Sequence, residues 1–194
     1  SDLSLISIWN PTFLTLLLAQ LRAWHQALAG DIETGRLSLP AGIPASLRDR
    51  LNRLLKRDPE RAEEIRRIIK EGDKNGVTVY ERLWPRLRLI SCWTDGAARR
   101  SMETLRQYIP NVSIVPKGLI STEGIVSFPL HGSNGSVLAL RSHFFEFIHE
   151  TDESRIFTAW ELRQNEKYTV VMTTGGGLYR YCLDDRIRVT GFIK

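Results

Sequence analysis

"RLRLISCWTDGAARRSMETLRQYIPNVSIVPKGLISTEG", residues 86–124, decides the fold. "LRLISCW" is apolar around a β-branched centre and predicts a strand, and Asp95-Gly96 predicts the turn that ends it. "AARRSMETLRQYI" then sets Met102, Leu105 and Ile109 at three- and four-residue steps, the spacing of one helix face. "VSIVPKGLI" reads as the next strand and runs into Ser121-Thr122-Glu123-Gly124. Strand, helix and strand at this length make a βαβ unit with parallel strands, whose ligands lie beyond the strands' carboxyl ends. Those ends are Trp93-Thr94-Asp95-Gly96 and Ser121-Thr122-Glu123-Gly124, so the candidate site is expected there.

Downstream the pattern changes. "GIVSFPL", "SVLAL", "HFFEFIHE", "RIFTAWEL" and "KYTVVMTT" are short strand-like runs broken by turns such as His131-Gly132-Ser133-Asn134-Gly135, a spacing that predicts antiparallel hairpins or a small barrel. Upstream, "LSLISI" predicts a strand, and Asn10 followed by Pro11 predicts a helix start. "TFLTLLLAQLRAWHQALAG" follows, with Leu14, Leu17, Leu18, Leu21, Trp24 and Leu28 at helical spacing; a largely buried helix stopping at Gly30 is expected. After a turn-rich connector, "SLRDRLNRLLKR" and "DPERAEEIRRIIKEG" are amphipathic helices, the second capped by Asp58 and closed by Gly72. The fold class is therefore α/β, with an α/β part over residues 1–125 and a β-rich part over 126–194. Both ends fall inside apparent strands, which leads us to expect a fragment of a longer enzyme.

Composition excludes several classes. The 194 residues are 42% hydrophobic and 25% charged, ordinary for a soluble globular chain. The longest apolar run, "FLTLLLAQL", falls well short of the roughly 20 residues of a membrane span, and no signal-peptide pattern opens the chain. The net charge of +5 is concentrated: residues 48–106 hold 16 Lys/Arg against 10 Asp/Glu, the rest 11 against 12. Acids and bases interleave there as on a solvated helix face, so nucleic acid is not the expected partner. Cys92 and Cys182 have no metal-site spacing and are expected as reduced thiols in a cytoplasmic protein. His131, His143 and His149 lack zinc spacing, Ser121 lacks the Gly-x-Ser-x-Gly elbow of a hydrolase, and Trp160, Phe144, Phe145 and Phe147 read as core.

Two stretches carry chemistry. "ISTEG" puts two hydroxyls and a carboxylate at a strand end; hydroxyls donate to phosphate oxygens, and one carboxylate with phosphate oxygens suits Mg2+. A strand end whose Ser and Thr merely cap the turn is the other reading. "TTGGGLYRYCLDD", residues 173–185, is not a phosphate loop, because its glycines lead into the alternating "LYRYCL" and not into a helix N-terminus. It predicts a hairpin ending in Asp184 and Asp185, where a carboxylate can accept two ribose hydroxyls or simply face water.

The pair of stretches, with "FFEFI" between them, resembles the adenylate-forming superfamily. More narrowly, it is similar to the auxin-responsive (Gretchen Hagen) acyl acid–amido synthetases and their bacterial relatives, from about Trp9 to Lys194 and most densely from Leu89 onward. The resemblance implies an ATP-dependent ligase that activates a carboxylic acid as an acyl-adenylate and conjugates it to an amine or amino acid, with ATP and Mg2+ as cofactors. It implies that Thr122 contacts the nucleotide phosphate, Glu123 helps hold Mg2+ and Asp185 binds the ribose. Ser121, Asp95 and Gly96 would lie along the adenine and acyl pocket, with Tyr179 and Arg180 matching the third motif. Three positions depart from the family pattern: Leu119 stands where an aromatic often precedes the Ser/Thr-Glu motif, Cys182 replaces an arginine, and Asp184 replaces the glycine before Asp185. The family's phosphate loop and C-terminal lid are absent from the chain, so the isolated chain is expected to be inactive. A module that binds a nucleotide or acyl ligand without turnover is the alternative.

Overall fold

A computed structural model describes residues 2–38, 42–133 and 135–193. Residues 39–41 of the predicted connector, Asn134 of the predicted turn, and the terminal Ser1 and Lys194 lie outside them. The chain forms two compact units, Ser1–Val115 and Pro116–Lys194.

The first unit is built on a three-stranded sheet in the order β1 (Leu5–Ser7), β2 (Leu89–Cys92), β3 (Ser113–Pro116). β1 and β2 pair in parallel, Leu5 opposite Leu89. Between β2 and β3 a 3-10 turn (Gly96–Ala98) leads into α5 (Arg99–Tyr108), giving the expected βαβ unit. Met102, Leu105 and Ile109 are buried as their spacing requires, against Ile90, Cys92, Leu14 and Leu18.

α1 (Pro11–Thr34) starts as predicted, the Asn10 side chain accepting from Thr12 N, but it does not stop at Gly30. A glycine inside a helix costs only about 1 kcal/mol, and here the chain continues one more turn to Gly35. Gly35 takes the left-handed conformation (φ 69°) and its N–H donates to Asp31 O. A side chain at position 35 would also press on the Arg57 backbone, 3.1 Å away. Nor is the helix buried all along its predicted face. Leu14, Leu18 and Ala29 are buried, whereas Leu17, Trp24 and Leu28 are exposed on the neighbouring side, together with Phe13 and Leu16. The stripe that packs is the one shared with α5 and with α3 (Pro59–Glu71), where Ala29 and Ala62 are both fully buried and let the helices approach. α2 (Ala45–Asn52) and α4 (Val79–Leu83) complete the unit.

The second unit holds two antiparallel sheets. β4 (Ser127–Pro129) pairs with β5 (Ser136–Leu138), and a four-stranded sheet runs β7-β6-β8-β9. Its strands are β6 (Phe144–His149), β7 (Asp152–Thr158), β8 (Lys167–Thr173) and β9 (Tyr181–Arg188). Phe145, Phe147, Phe157, Tyr168, Val170 and Met172 form its core. Phe144, expected in the core, lies on the opposite face of the pleat and is exposed, as strand alternation demands. Trp160 is 79% exposed. The predicted strand through it ends at Thr158, because Thr158 and Glu161 form a reciprocal capping box that turns Ala159–Glu161 into a 3-10 helix.

Candidate functional site

The strand predicted to deliver residues 121–124 ends early. β3 stops at Pro116, and Gly118 follows at φ 76°. At position 118 a Cβ would lie 2.9 Å from Phe128 Cα and against the Ser127 carbonyl, so only glycine allows the chain this close to β4. Ser121-Thr122-Glu123-Gly124 is therefore a tight turn of the second unit, closed by a bridge between Ile120 and Ile125, and not the carboxyl end of a parallel strand. Ser121 N donates to Gly124 O (3.0 Å); the Ser121 hydroxyl donates to the same carbonyl (3.2 Å) and accepts from Gly124 N (3.3 Å). Ser121 is thus engaged in holding the turn, while Thr122 is exposed and Glu123 half-buried.

The turn sits on the four-stranded sheet. A Cβ at Gly124 would stand 2.6 Å from Met172 Cε and nearer still to the His143 ring. On β9 Asp185 is half-buried, within electrostatic reach of Glu123. The Asp185 carboxyl is pushed above the usual range, first by burial, then by the charges of Glu123 and Asp184. Among the described residues, none of these three carboxylates forms an ion pair.

Residues 174–180 form the predicted hairpin loop between β8 and β9, with Thr174 N donating to Leu178 O (2.9 Å) and Gly177 N to Thr174 O (3.2 Å). Arg180 clasps it. Its backbone N donates to Thr173 Oγ1 (3.0 Å) and its guanidinium Nε to Glu146 Oε2 (3.0 Å) on β6. Tyr179 is 80% exposed and does not pack against the hairpin. Asp95 and Gly96 belong to the first unit: Thr94 Oγ1 donates to Asp95 Oδ2 (3.3 Å), Gly96 takes φ 58°, and the preceding Trp93 meets Trp9 edge-on at 5.5 Å. Leu119 is packed against the second unit's core, behind the turn.

Sequence reasoning missed Glu146, the anchor for Arg180, and His143 and Met172, the seat of the turn. Glu146 was detectable as the polar member of an alternating Phe145-Glu146-Phe147 run whose aromatic neighbours face inward. His143 and Met172 carry no local signal; their role depends on the turn folding onto them.

Residues 1–114 match the GH3 family N-terminal domain, and residues 136–194 match the GH3 family central domain. The chain belongs to the GH3 family. It is 31% identical over 177 residues to the rice "Probable indole-3-acetic acid-amido synthetase GH3.9", covering 87% of the chain and 39% of that protein. Against the Arabidopsis "Indole-3-acetic acid-amido synthetase GH3.2" it is 28% identical over 186 residues, covering 87% and 33%. The fold matches the solved "GH3.15 acyl acid amido synthetase" with a TM-score of 0.81 at 21% identity, over 98% of this chain and 35% of that one. The GH3 chain described here thus spans about two-fifths or less of the length of these relatives. Among the described residues neither the buried Cys92 nor the exposed Cys182 is in a disulfide, and no helix is long and apolar enough to cross a membrane.

Proposed function

We propose that the chain carries part of the nucleotide site of an ATP-dependent ligase that activates a carboxylic acid as its acyl-adenylate and joins it to an amine or amino acid. The observation that supports this reading is the pair Glu123 and Asp185, brought together without a neutralising cation in a chain whose relatives are amido synthetases. Asp185 would accept the two ribose hydroxyls. The exposed Thr122 hydroxyl would donate to a phosphate oxygen, and Ser121 would fix the turn that presents it. Arg180 would serve this site by holding the hairpin through its bond to Glu146, with the exposed Tyr179 beside it in the same loop.

No group of three His, Cys, Asp or Glu among the described residues is arranged to hold a metal alone. A single carboxylate nevertheless suits Mg2+ carried on nucleotide phosphates, since that ion keeps several waters and takes one or two protein carboxylates. Glu123 is the residue that would hold it, and the ion would neutralise charge on those phosphates. In the first step the substrate carboxylate oxygen attacks the α-phosphorus of ATP and pyrophosphate leaves. In the second the amine nitrogen attacks the acyl carbon, loses a proton, and AMP leaves. Adenylation turns a poor leaving group into a good one.

The test is exchange of labelled pyrophosphate into ATP by the protein that contains this chain, with indole-3-acetic acid and a broad panel of carboxylic acids. Exchange that depends on the acid is expected, and its loss in Glu123→Gln. No exchange with any acid would overturn the reading. If AMP still bound, a non-catalytic nucleotide-binding module would take its place, a reading favoured by the third carboxylate at Asp184.

A further inference from the structure

β9 does not pair evenly with β8. Thr169 lies opposite Arg186 and Val171 opposite Cys182, so Val170 alone faces the three residues Leu183, Asp184 and Asp185. Two extra residues are looped out of the ladder. A slip of one residue would send the following side chains to the wrong face, but a slip of two keeps the alternation. Leu183 and Ile187 accordingly both pack on the second unit's core, and Asp185 lies between them on the inward side while Asp184 and Arg186 are exposed. Asp184 makes the excursion possible. It takes φ 58°, the left-handed region that aspartate tolerates better than most side chains and β-branched residues hardly at all. Bulges of this kind re-aim the side chain that follows them.

Resting on the nucleotide-site reading above, we propose that Asp184 is a positioning residue: its left-handed backbone holds the β9 bulge that keeps Asp185 at the rim beside Glu123. The Asp184 side chain is exposed and, among the described residues, its Oδ1 accepts only from the Cys182 thiol, at 3.5 Å, so the conformation, and not the carboxylate, is what the site needs. Its charge works against the ligand-binding role by adding to the negative field around Asp185.

Three substitutions separate conformation from charge: Asp184→Asn and Asp184→Gly keep the left-handed region open and remove the charge, whereas Asp184→Val closes it. The readouts are AMP affinity by calorimetry and the β8–β9 register from cross-strand nuclear Overhauser effects, both on the intact chain. Asn and Gly should bind AMP as well as the parent or up to about threefold more tightly. Val should weaken AMP on the order of tenfold, matching the strain of a left-handed β-branched residue, and should pair Thr169–Val171 evenly with β9. Val with parental affinity and register overturns the proposal, and so does Asn weakening AMP as much as Val. If the parent chain binds no AMP, the nucleotide-site reading falls. The register comparison then still decides whether Asp184 holds the bulge.

Discussion

The two units treat their carboxylates differently. In the first, several acids on the helices are matched: Glu33 with Arg66, Glu64 with Arg61, Glu71 with Arg82. The buried Glu81 accepts from Thr78 N (3.1 Å) and Asn111 N (2.7 Å). In the second unit Glu146 is matched with Arg180, Glu150 with Lys167 and Glu161 with Arg155. Glu123, Asp184 and Asp185 form no ion pair among the described residues, and the charges of Glu123 and Asp184 both act on the Asp185 carboxyl. Matched charges on a solvated surface add little stability, so their lesson is negative: they need no ligand. The nucleotide-site reading proposed above places its ligand at the unmatched group.

The largest effect that would sharpen the contrast is in the core beneath the site. Phe147 is fully buried against Tyr168, ring centroids 6.3 Å apart. Phe147→Ala should lower the unfolding free energy by about 3–5 kcal/mol, read from urea denaturation, and should abolish AMP binding with it. Asp185→Ala should separate the two. AMP and ATP affinity should fall by roughly ten- to a hundredfold, the scale of hydrogen bonds to a charged group, with the urea midpoint unchanged or higher. Unchanged affinity for both nucleotides would place the ligand elsewhere. In the first unit Glu81→Ala should do the reverse. It leaves the Thr78 and Asn111 N–H groups without their acceptor and should cost about 1–3 kcal/mol, with AMP affinity intact.

Much of this was legible in the sequence, and what was not has a common cause. The βαβ unit, the cap at Asn10 and the hairpin after the triple glycine follow from local pattern and turn chemistry. The Thr158-x-x-Glu161 box was also legible as a helix-start signature, but the apolar residues around Trp160 read as strand. The end of α1 was misplaced because Gly30 and Gly35 look alike locally, and only the second meets the Arg57 backbone. The apolar side of α1 bearing Leu17 and Trp24 could not be assigned because periodicity marks apolar faces without saying which one is covered. Within the site, Glu123 and Asp185 were named from their motifs. Their meeting depends on Gly124 docking against Met172 and on the β9 bulge, both set by pairing between distant strands.

The smallest effect distinguishes matched from unmatched acids by pH. Glu161 accepts from the Thr158 backbone and hydroxyl and from Arg155, which together hold its carboxyl down to about 2 from an ordinary 4.5. A group with a lowered folded value contributes stability that is present above 4.5 and fades as the pH falls through about 2. Asp185 has the opposite sign. Burial and its two acidic neighbours raise it, so ionisation penalises the folded state, an effect absent at a pH low enough to protonate the group in both states and established once the pH exceeds the folded value. Asp185→Asn should therefore stabilise the chain slightly at neutral pH and leave it unchanged in acid, whereas Glu161→Gln should destabilise it at neutral pH and converge with the parent in strong acid. Urea midpoints measured across pH for both variants check the pair. Curves of the same sign would mean that Asp185 is neutralised by a partner in the folded chain, and the distinction between matched and unmatched carboxylates would fail at the residue on which the proposed site depends.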